Sequence, residues 1–390
     1  MNRTVLHIDL DTFYVSCSRL QHPELIGRPV IVGGTRERGV VASCSYEARQ
    51  FGVHSAMPMF LALQKCPQAK VIRGDMDYYS RKSHEVAQIV EEAAPVMEKA
   101  SIDEFYLDTT GLDRFFGTWK WSEELAAKIT KESGLPISIG LSVNKTVAKI
   151  ATGEGKAHNA EKRGEGRKLV LQKDVQPFLF PLPVRKIPMV GSETYQTLSR
   201  IGIRKIQTLA ETPHEYLVSL FGKNGSALWK KANGIDNTPV ERYNERKSIS
   251  KERTFDSDTM DIPRLTDLIG RMVEELGYDL RKSTQLCSTV EVKIKYNDFN
   301  VFTKQQRIPY TSCDHSILKV AKELFDKVYD RRMMLRLVGV KLSGLVHGNY
   351  QIDAFEDTRE LISLYQRIDH IRRRFGEDKI FRANAFDIRS

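Results

Sequence analysis

Cysteine is scarce in this 390-residue chain: five residues, at 17, 44, 66, 287 and 313, with no CxxC pair. The scarcity and the odd count argue against a disulfide framework and a thiolate zinc site, and for reduced thiols in a cytoplasm. Long apolar runs are missing too. Nothing approaches the roughly 20 apolar residues that span a bilayer. The first residues, Met1-Asn2-Arg3-Thr4, lead into a short strand carrying acids, without the apolar stretch and cleavage site of a signal peptide. No membrane association is therefore expected. Internal repeats and low-complexity tracts are absent, and no sign of charge dominates. Sixty Lys and Arg against 50 Asp and Glu leave a net charge of +10, an excess that suits a polyanion partner without requiring one.

What is present is enough material for two to four domains, with an ordinary 41% hydrophobic content. Residues 4–18 read as a strand running into a helix, 29–34 as a short strand ending in a glycine turn, and Val40 to Ala42 as another. Helices are expected at Ser45 to Phe51, capped by Ser43 or Ser45, at Met59 to Lys65, and at Asp77 to Ala94, where Val86, Ile89, Val90 and Ala93 recur at helical spacing. A hairpin over 96–108, a helix at 122–132, a strand at 136–142 and a helix from Asn144 to Ala151 complete an α/β region with a mixed or antiparallel sheet. Residues 153–168, with Gly153, Gly155, Gly164 and Gly166, read as a loop.

A helical unit follows at 174–236. Within it Ile187-Pro188-Met189-Val190-Gly191 sits between two helices, close to a helix–hairpin–helix that offers backbone N–H groups to phosphate. Residues 237–248 read as a linker. From 249 to 345 strands return around helices at 264–282 and 314–328, predicting a separate α+β domain. In the tail, Leu361, Leu364, Tyr365, Ile368, Ile371 and Phe375 form one apolar helix face.

The chemistry starts from two acidic clusters, His7-Ile8-Asp9-Leu10-Asp11 at the end of a buried strand and Ser101-Ile102-Asp103-Glu104 at the hairpin turn. Carboxylates brought together in a dry site need cations. In-line phosphoryl transfer uses two divalent ions roughly 3.5–4 Å apart. Asp9 and Asp103 can bridge both, with Glu104 on the ion beside the attacking oxygen and the Leu10 carbonyl completing a shell. Neighbouring strand residues point to opposite faces, so Asp103 and Glu104 converge only if the chain turns there. Solvent-exposed turn acids are the alternative, and Asp11 can equally cap the next helix or touch metal. Tyr46 and Arg49, one helical turn apart beyond Ser43, can clamp a triphosphate. Lys145 and Lys149 share a helix face with Lys156 just beyond; a solvated face is the alternative.

These residues, in order, resemble the Y-family, or translesion, DNA polymerases, in particular the bacterial polymerase IV (DinB) branch. The resemblance is carried by four stretches: His7-Ile8-Asp9-Leu10-Asp11-Thr12-Phe13-Tyr14; Ser45-Tyr46-Glu47-Ala48-Arg49-Gln50-Phe51-Gly52-Val53; Ala100 to Asp108; and Gly140 to Ala151. It covers about residues 1–345. It implies an α+β multidomain right hand: palm over 1–18 and 75–165, fingers over 19–74, a thumb over 166–236, and an α+β little finger over 249–345. The C-terminal tail is 346–390. By the same resemblance, Asp9, Asp103 and Glu104 are the metal carboxylates for two Mg²⁺. Ser43, Tyr46, Arg49 and Lys156 bind the dNTP triphosphate. Tyr14 is the steric gate against ribonucleotides, and Gly34 and Val40 roof the nascent base pair. Val190 and Gly191 hold the DNA backbone.

The implied activity is template-directed, error-prone synthesis on primer–template DNA without proofreading, by a monomer. Three departures stand out: Lys156-Ala157-His158-Asn159-Ala160 replaces Lys-Pro-Asn-Gly, Met189-Val190-Gly191 replaces Gly-Val-Gly, and Cys44 interrupts a stretch that is often small or hydroxylic, with little effect expected. In the tail, Gln351-Ile352-Asp353-Ala354-Phe355 resembles the sliding-clamp peptide of bacterial polymerases. Gln351, Ile352, Ala354 and Phe355 are its contact positions, and Ala354 stands where a bulky apolar residue is usual, at an expected cost on the order of 1–3 kcal/mol. Arg372-Arg373-Arg374 can pack on the body or contact DNA. The alternatives to a polymerase are a template-independent palm-type nucleotidyl transferase or cyclase, and a non-enzymatic DNA- and clamp-binding scaffold.

Overall fold

A computed structural model describes residues 3–94, 96–112, 117–158, 165–242, 245–348, 359–376 and 379–380. The chain divides into two compact units, residues up to 244 and residues from 245. Among the described residues eight strands run through the first: β1 (Val5–Leu10), β2 (Val30–Gly33), β3 (Val41–Cys44), β4 (Lys70–Ile72), β5 (Met97–Lys99), β6 (Glu104–Asp108), β7 (Ile137–Ser142) and β8 (Arg167–Leu169). Five form a mixed sheet in the order β5-β6-β1-β7-β8, and β3-β2-β4 form a smaller one. β1 is antiparallel to both neighbours, pairing Asp9 with Glu104 on one side and Ser138 on the other.

Alternation along β1 decides what each face does. Leu6, Ile8 and Leu10 enter a core shared with Phe13, Val15, Tyr79, Val86, Val90, Leu125 and Ile129. These come from the helices Phe13–Gln21, Met76–Ala93 and Thr118–Ser133. His7 and Asp9 face the other way, onto the helix Lys145–His158, whose Thr152 and Lys156 touch them. This helix lies unusually close to the sheet. A Cβ on Gly140, the β7 partner of His7, would stand 2.3 Å from the Ala148 carbonyl oxygen, so only glycine permits the approach.

The helix also runs through His158, past the expected end at Ala151, and takes the first six residues of the loop expected over 153–168. Gly155 and Gly166 are packing glycines: a Cβ on Gly166 would sit 2.3 Å from the Lys156 nitrogen. Close packing of this helix on the adjoining chain overrides the low helix propensity of glycine. The Tyr46–Arg49 helix is capped by Ser45, which accepts from the Ala48 N–H at 3.3 Å, leaving Ser43 in β3.

The helices Val175–Leu179, Ser192–Arg200, Ile206–Glu211, His214–Phe221 and Lys223–Ala232 share a core containing Leu179, Ile187, Leu198, Ile206, Leu217 and Leu228. The segment after them is no free linker as far as 241. Val240 is buried against Val5 and Tyr106, the Pro239 carbonyl accepts from Lys145 Nζ at 3.2 Å, and the Glu241 N–H donates to Glu98 at 2.9 Å. A 237–248 linker is thus corrected at its start: residues 239–241 are strapped to the five-stranded sheet and the helix packed on it.

The second unit holds β9 (Ser248–Thr259), β10 (Gln285–Tyr296), β11 (Val301–Thr311), β12 (Leu335–Ser343) and β13 (Val346–His347). They are ordered β11-β10-β12-β9, with β13 on β10 and the helices Ile262–Lys282 and Asp314–Val328 packed on the sheet. The tail helix Arg359–Phe375 docks on this unit differently from expectation. Leu364 and Phe375 are exposed at 50% and 58%, whereas Tyr365, Asp369 and Arg372 are buried. Arg281 bonds Asp369 at 2.7 Å and Asp314 at 2.6 Å, and Arg372 reaches Glu274 at 3.4 Å. The seam is a buried ion network, which apolar periodicity cannot reveal, and Arg372 packs on the body.

Candidate active site

Asp9 and Glu104 lie directly opposite each other on β1 and β6 and so share a face. Asp103 stands in the bend before β6, and its carbonyl accepts from the Leu10 N–H at 2.9 Å. The chain does turn there, as convergence requires. The Asp103 carboxylate nonetheless accepts from Ser101 Oγ at 2.6 Å and faces Tyr14, whereas Asp11 and Glu104 are the acids that act on Asp9. Among the described residues no three acids stand close enough to ligate one ion together. The strands therefore bring the backbones of all three acids together and set Asp9 and Glu104 on one face.

Over these acids runs the ladder Lys145, Lys149, Thr152, Lys156, one face of a single helix. Lys145 bonds Glu98 at 2.6 and 2.7 Å, Lys149 bonds Glu104 at 2.7 Å, and Lys156 bonds Asp9 and, at 2.8 Å, Asp11. The solvated-face alternative for the lysines is excluded. Asp11, fully buried, neither caps the next helix nor stands free. Its carboxylate accepts from Ser138 Oγ at 2.9 and 2.8 Å and from the Glu165 N–H at 2.7 Å. It anchors Lys156 against the sheet, a role readable only in its spacing of two from Asp9.

Burial pushes the Asp9 carboxyl up to about 6, against the pull of Lys156 and with help from Asp11 and Glu104. Asp9 and Asp11 outweigh burial at Lys156 and hold its ammonium charged. Acids that take two lysines and still leave one carboxyl hard to ionise fit further cations, and their all-oxygen donor set suits hard divalent ions. Because Asp9 keeps its proton below about pH 6, a cation must displace that proton there. Mg²⁺ affinity of the metal-free protein should hold level above pH 6 and fall about tenfold per unit below it, as calorimetric titration would show. A flat profile between pH 5 and 7 would remove Asp9 from the cation site. The same shift has a stability sign. The charged form is disfavoured in the fold, so the contribution is favourable at low pH and is lost as pH rises through 6.

Tyr46 and Arg49 project from the short helix after β3. The Arg49 guanidinium lies 5.1 Å from the Tyr46 ring centre. Burial and the nearby Asp11 push the Tyr46 phenol up to about 12; Lys156 and Asp9 also act on it. Tyr46 thus lies within electrostatic reach of Lys156, Asp9 and Asp11, with Ser43 buried in β3. Tyr14 stacks on Tyr79, centroids 4.6 Å apart and planes 15° apart; Tyr79 is itself tied to Ser18 at 3.1 Å. The Gly34 N–H meets the Val40 carbonyl at 3.4 Å, closing the 34–40 loop, and Val40 is 54% exposed. At the thumb turn Met189 adopts φ +81° where glycine would be unstrained. The Val190 and Gly191 N–H groups are already bonded, to Ile187 and Met189, each at 3.1 Å. The first turn of the Ser192–Arg200 helix follows directly and presents further backbone N–H groups. Gln351, Ile352, Ala354 and Phe355 lie outside the described residues.

A mixed sheet presenting acids beneath a lysine-bearing helix, a helical region with a phosphate-type hairpin, and a separate α+β unit are the parts of a right-hand nucleic-acid polymerase. Comparison with known proteins narrows that class. The sequence models of the impB/mucB/samB family and of its C-terminal domain match residues 8–153 and 246–354. DNA polymerase IV of Dehalococcoides mccartyi (strain CBDB1) is 36% identical over 378 residues, 96% of this chain and 95% of the relative. DNA polymerase IV of Clostridium kluyveri is 34% identical over 396 residues, 97% of each. Among solved structures, a Y-family DNA polymerase chimera matches with a TM-score of 0.79 at 26% identity, over 89% of this chain and all of that one. The chain belongs to the Y-family of DNA polymerases, in its DNA polymerase IV branch. It is a DNA-directed DNA polymerase, and membership removes both the template-independent transferase and the non-enzymatic scaffold. No helix among the described residues is long and apolar enough to cross a membrane.

Proposed function

We propose that the site on β1 and β6 extends a primer across damaged template by two-metal nucleotidyl transfer from a dNTP. The observation that carries this reading is the meeting of Asp9 and Glu104 beneath Lys149 and Lys156, with Asp103 one residue away in the bend. Asp9, Asp103 and Glu104 would hold two Mg²⁺, which supply activation of the primer 3′-hydroxyl and charge neutralisation on the leaving pyrophosphate. The Leu10 carbonyl would be a further oxygen donor to them. Tyr46, Arg49 and Lys156 bind and orient the triphosphate, with Ser43 next to them, and Arg49 suits bidentate contact. Tyr14, braced by Tyr79, lies against the sugar. Gly34 and the exposed Val40 roof the base pair with little bulk, leaving room for damaged bases. The thumb and the second unit hold the duplex through its phosphates, so binding is salt-sensitive and sequence-tolerant. A clamp contact through Gln351, Ile352, Ala354 and Phe355 and a cytoplasmic setting complete the reading.

Primer extension on a panel of damaged templates tests it. Products should follow the template, pass at least one lesion, and require a divalent cation. Addition that ignores the template, or arrest at every lesion, would defeat the reading.

A further inference from the structure

The residue that the metal acids, the lysines and the triphosphate ligands leave unexplained is His7. It stands two residues before Asp9 on the same face of β1, with a relative exposure of 1%. Its Nδ1 lies 2.8 Å from Thr152 Oγ1 on the lysine-bearing helix, and the Tyr106 ring fixes its other flank, centroids 4.7 Å apart. Nε2 has no hydrogen-bond partner and points toward Glu104, whose Oε1 is 3.9 Å away. Buried polar atoms are almost always paired, so this one calls for an occupant.

A neutral imidazole carries one N–H, and its hydrogen-bond partners decide which nitrogen holds it. The Thr152 hydroxyl has three acceptors in reach: Nδ1 at 2.8 Å, the Ala148 carbonyl at 3.1 Å and the His7 carbonyl at 3.4 Å. Donation to the nearest, Nδ1, leaves the ring proton on Nε2, facing the carboxylate. The opposite tautomer would set a lone pair against that carboxylate. In this structure Lys149 holds both Glu104 oxygens. A Glu104 turned onto a cation gives up that grip on one oxygen, and a shift of about 1 Å brings the carboxylate into hydrogen-bond range of Nε2.

We propose that His7 is a positioning residue for Glu104, its Nε2–H holding the carboxylate in its cation-binding orientation while Thr152 selects the tautomer. The inference rests on Glu104 being a cation ligand. Partners of this kind typically change metal affinity roughly 10–100-fold.

The test is Mn²⁺ binding to the metal-free full chain, followed by electron paramagnetic resonance, with thermal unfolding as the control for folding. Asparagine at this position keeps a polar atom near Thr152 and cannot reach Glu104; glutamine places an amide nitrogen near the Nε2 position. His7→Asn should weaken Mn²⁺ binding at least about tenfold, and His7→Gln should restore most of the loss. Thr152→Val should weaken binding in the same direction, and Thr152→Ser should recover it. Equal affinities for His7→Asn and His7→Gln, whether both normal or both weak, would overturn the proposal. Glu104→Gln separates the two ideas. If it binds Mn²⁺ like the parent protein, the metal reading itself fails; if it binds weakly while His7→Asn binds normally, only the role of His7 falls.

Discussion

Primer extension by the Asp103→Ala protein is expected to fall at least about a thousandfold, with affinity for primer–template DNA unchanged. A carboxylate that bridges two cations stabilises the transition state by several kcal/mol, and about 4 kcal/mol corresponds to that factor in rate. The fold should tolerate the change. Asp103 is half-buried, and the bond that ties its bend to β1 uses its backbone carbonyl, not its side chain. Loss of the contact with Ser101 Oγ exposes a hydroxyl to water at an already exposed position. Single-turnover extension and fluorescence anisotropy on one preparation give the two readouts. Extension within tenfold of the parent protein would mean that Asp103 keeps its contact with Ser101 during the reaction and carries no cation.

The second large effect concerns the sugar. Tyr14→Ala should raise ribonucleotide incorporation relative to deoxyribonucleotide between about 5- and 160-fold, the range that 1–3 kcal/mol of overpacking produces. The ring is held rather than free: it stacks on Tyr79, which is buried and bonded to Ser18. A 2′-hydroxyl meeting a braced ring cannot push it aside cheaply. Tyr14→Phe keeps the ring and should keep the selectivity, whereas Tyr79→Leu removes the brace and should relax it partway. Competition assays with paired ribo- and deoxyribonucleotides measure the ratio. If Tyr14→Ala discriminates as well as the parent protein, the gate lies elsewhere.

Much of this site was legible along the chain. Asp9, Asp103 and Glu104 stand out because two acidic clusters interrupt apolar strands, a pattern that suits cation binding once the strands pair. Tyr46 and Arg49 follow from a capped helix start. Asp11 was harder: a spacing of two from Asp9 puts it on the same face, but nothing local says that Ser138, from a strand more than a hundred residues away, will take its carboxylate. His7 gave no sign at all, since a histidine next to apolar residues reads as core. The glycines at 155 and 166 misled in the other direction. Glycine is a loop signal locally and a close-packing device globally, and only the approach of helix to strand tells which.

Strand parity, the order of the motifs and the acids at strand ends follow from side-chain alternation and hydrophobic periodicity, which are local and survive in one dimension. They point to the polymerase class, which the relatives bear out, and to the acids proposed for its cation site. Which acid pairs with which lysine, which way the Asp103 carboxylate turns, and how the tail helix is held by Arg281 and Asp369 were decided in three dimensions. Charges find partners by distance and burial, and neither quantity is written in the spacing of residues along a chain.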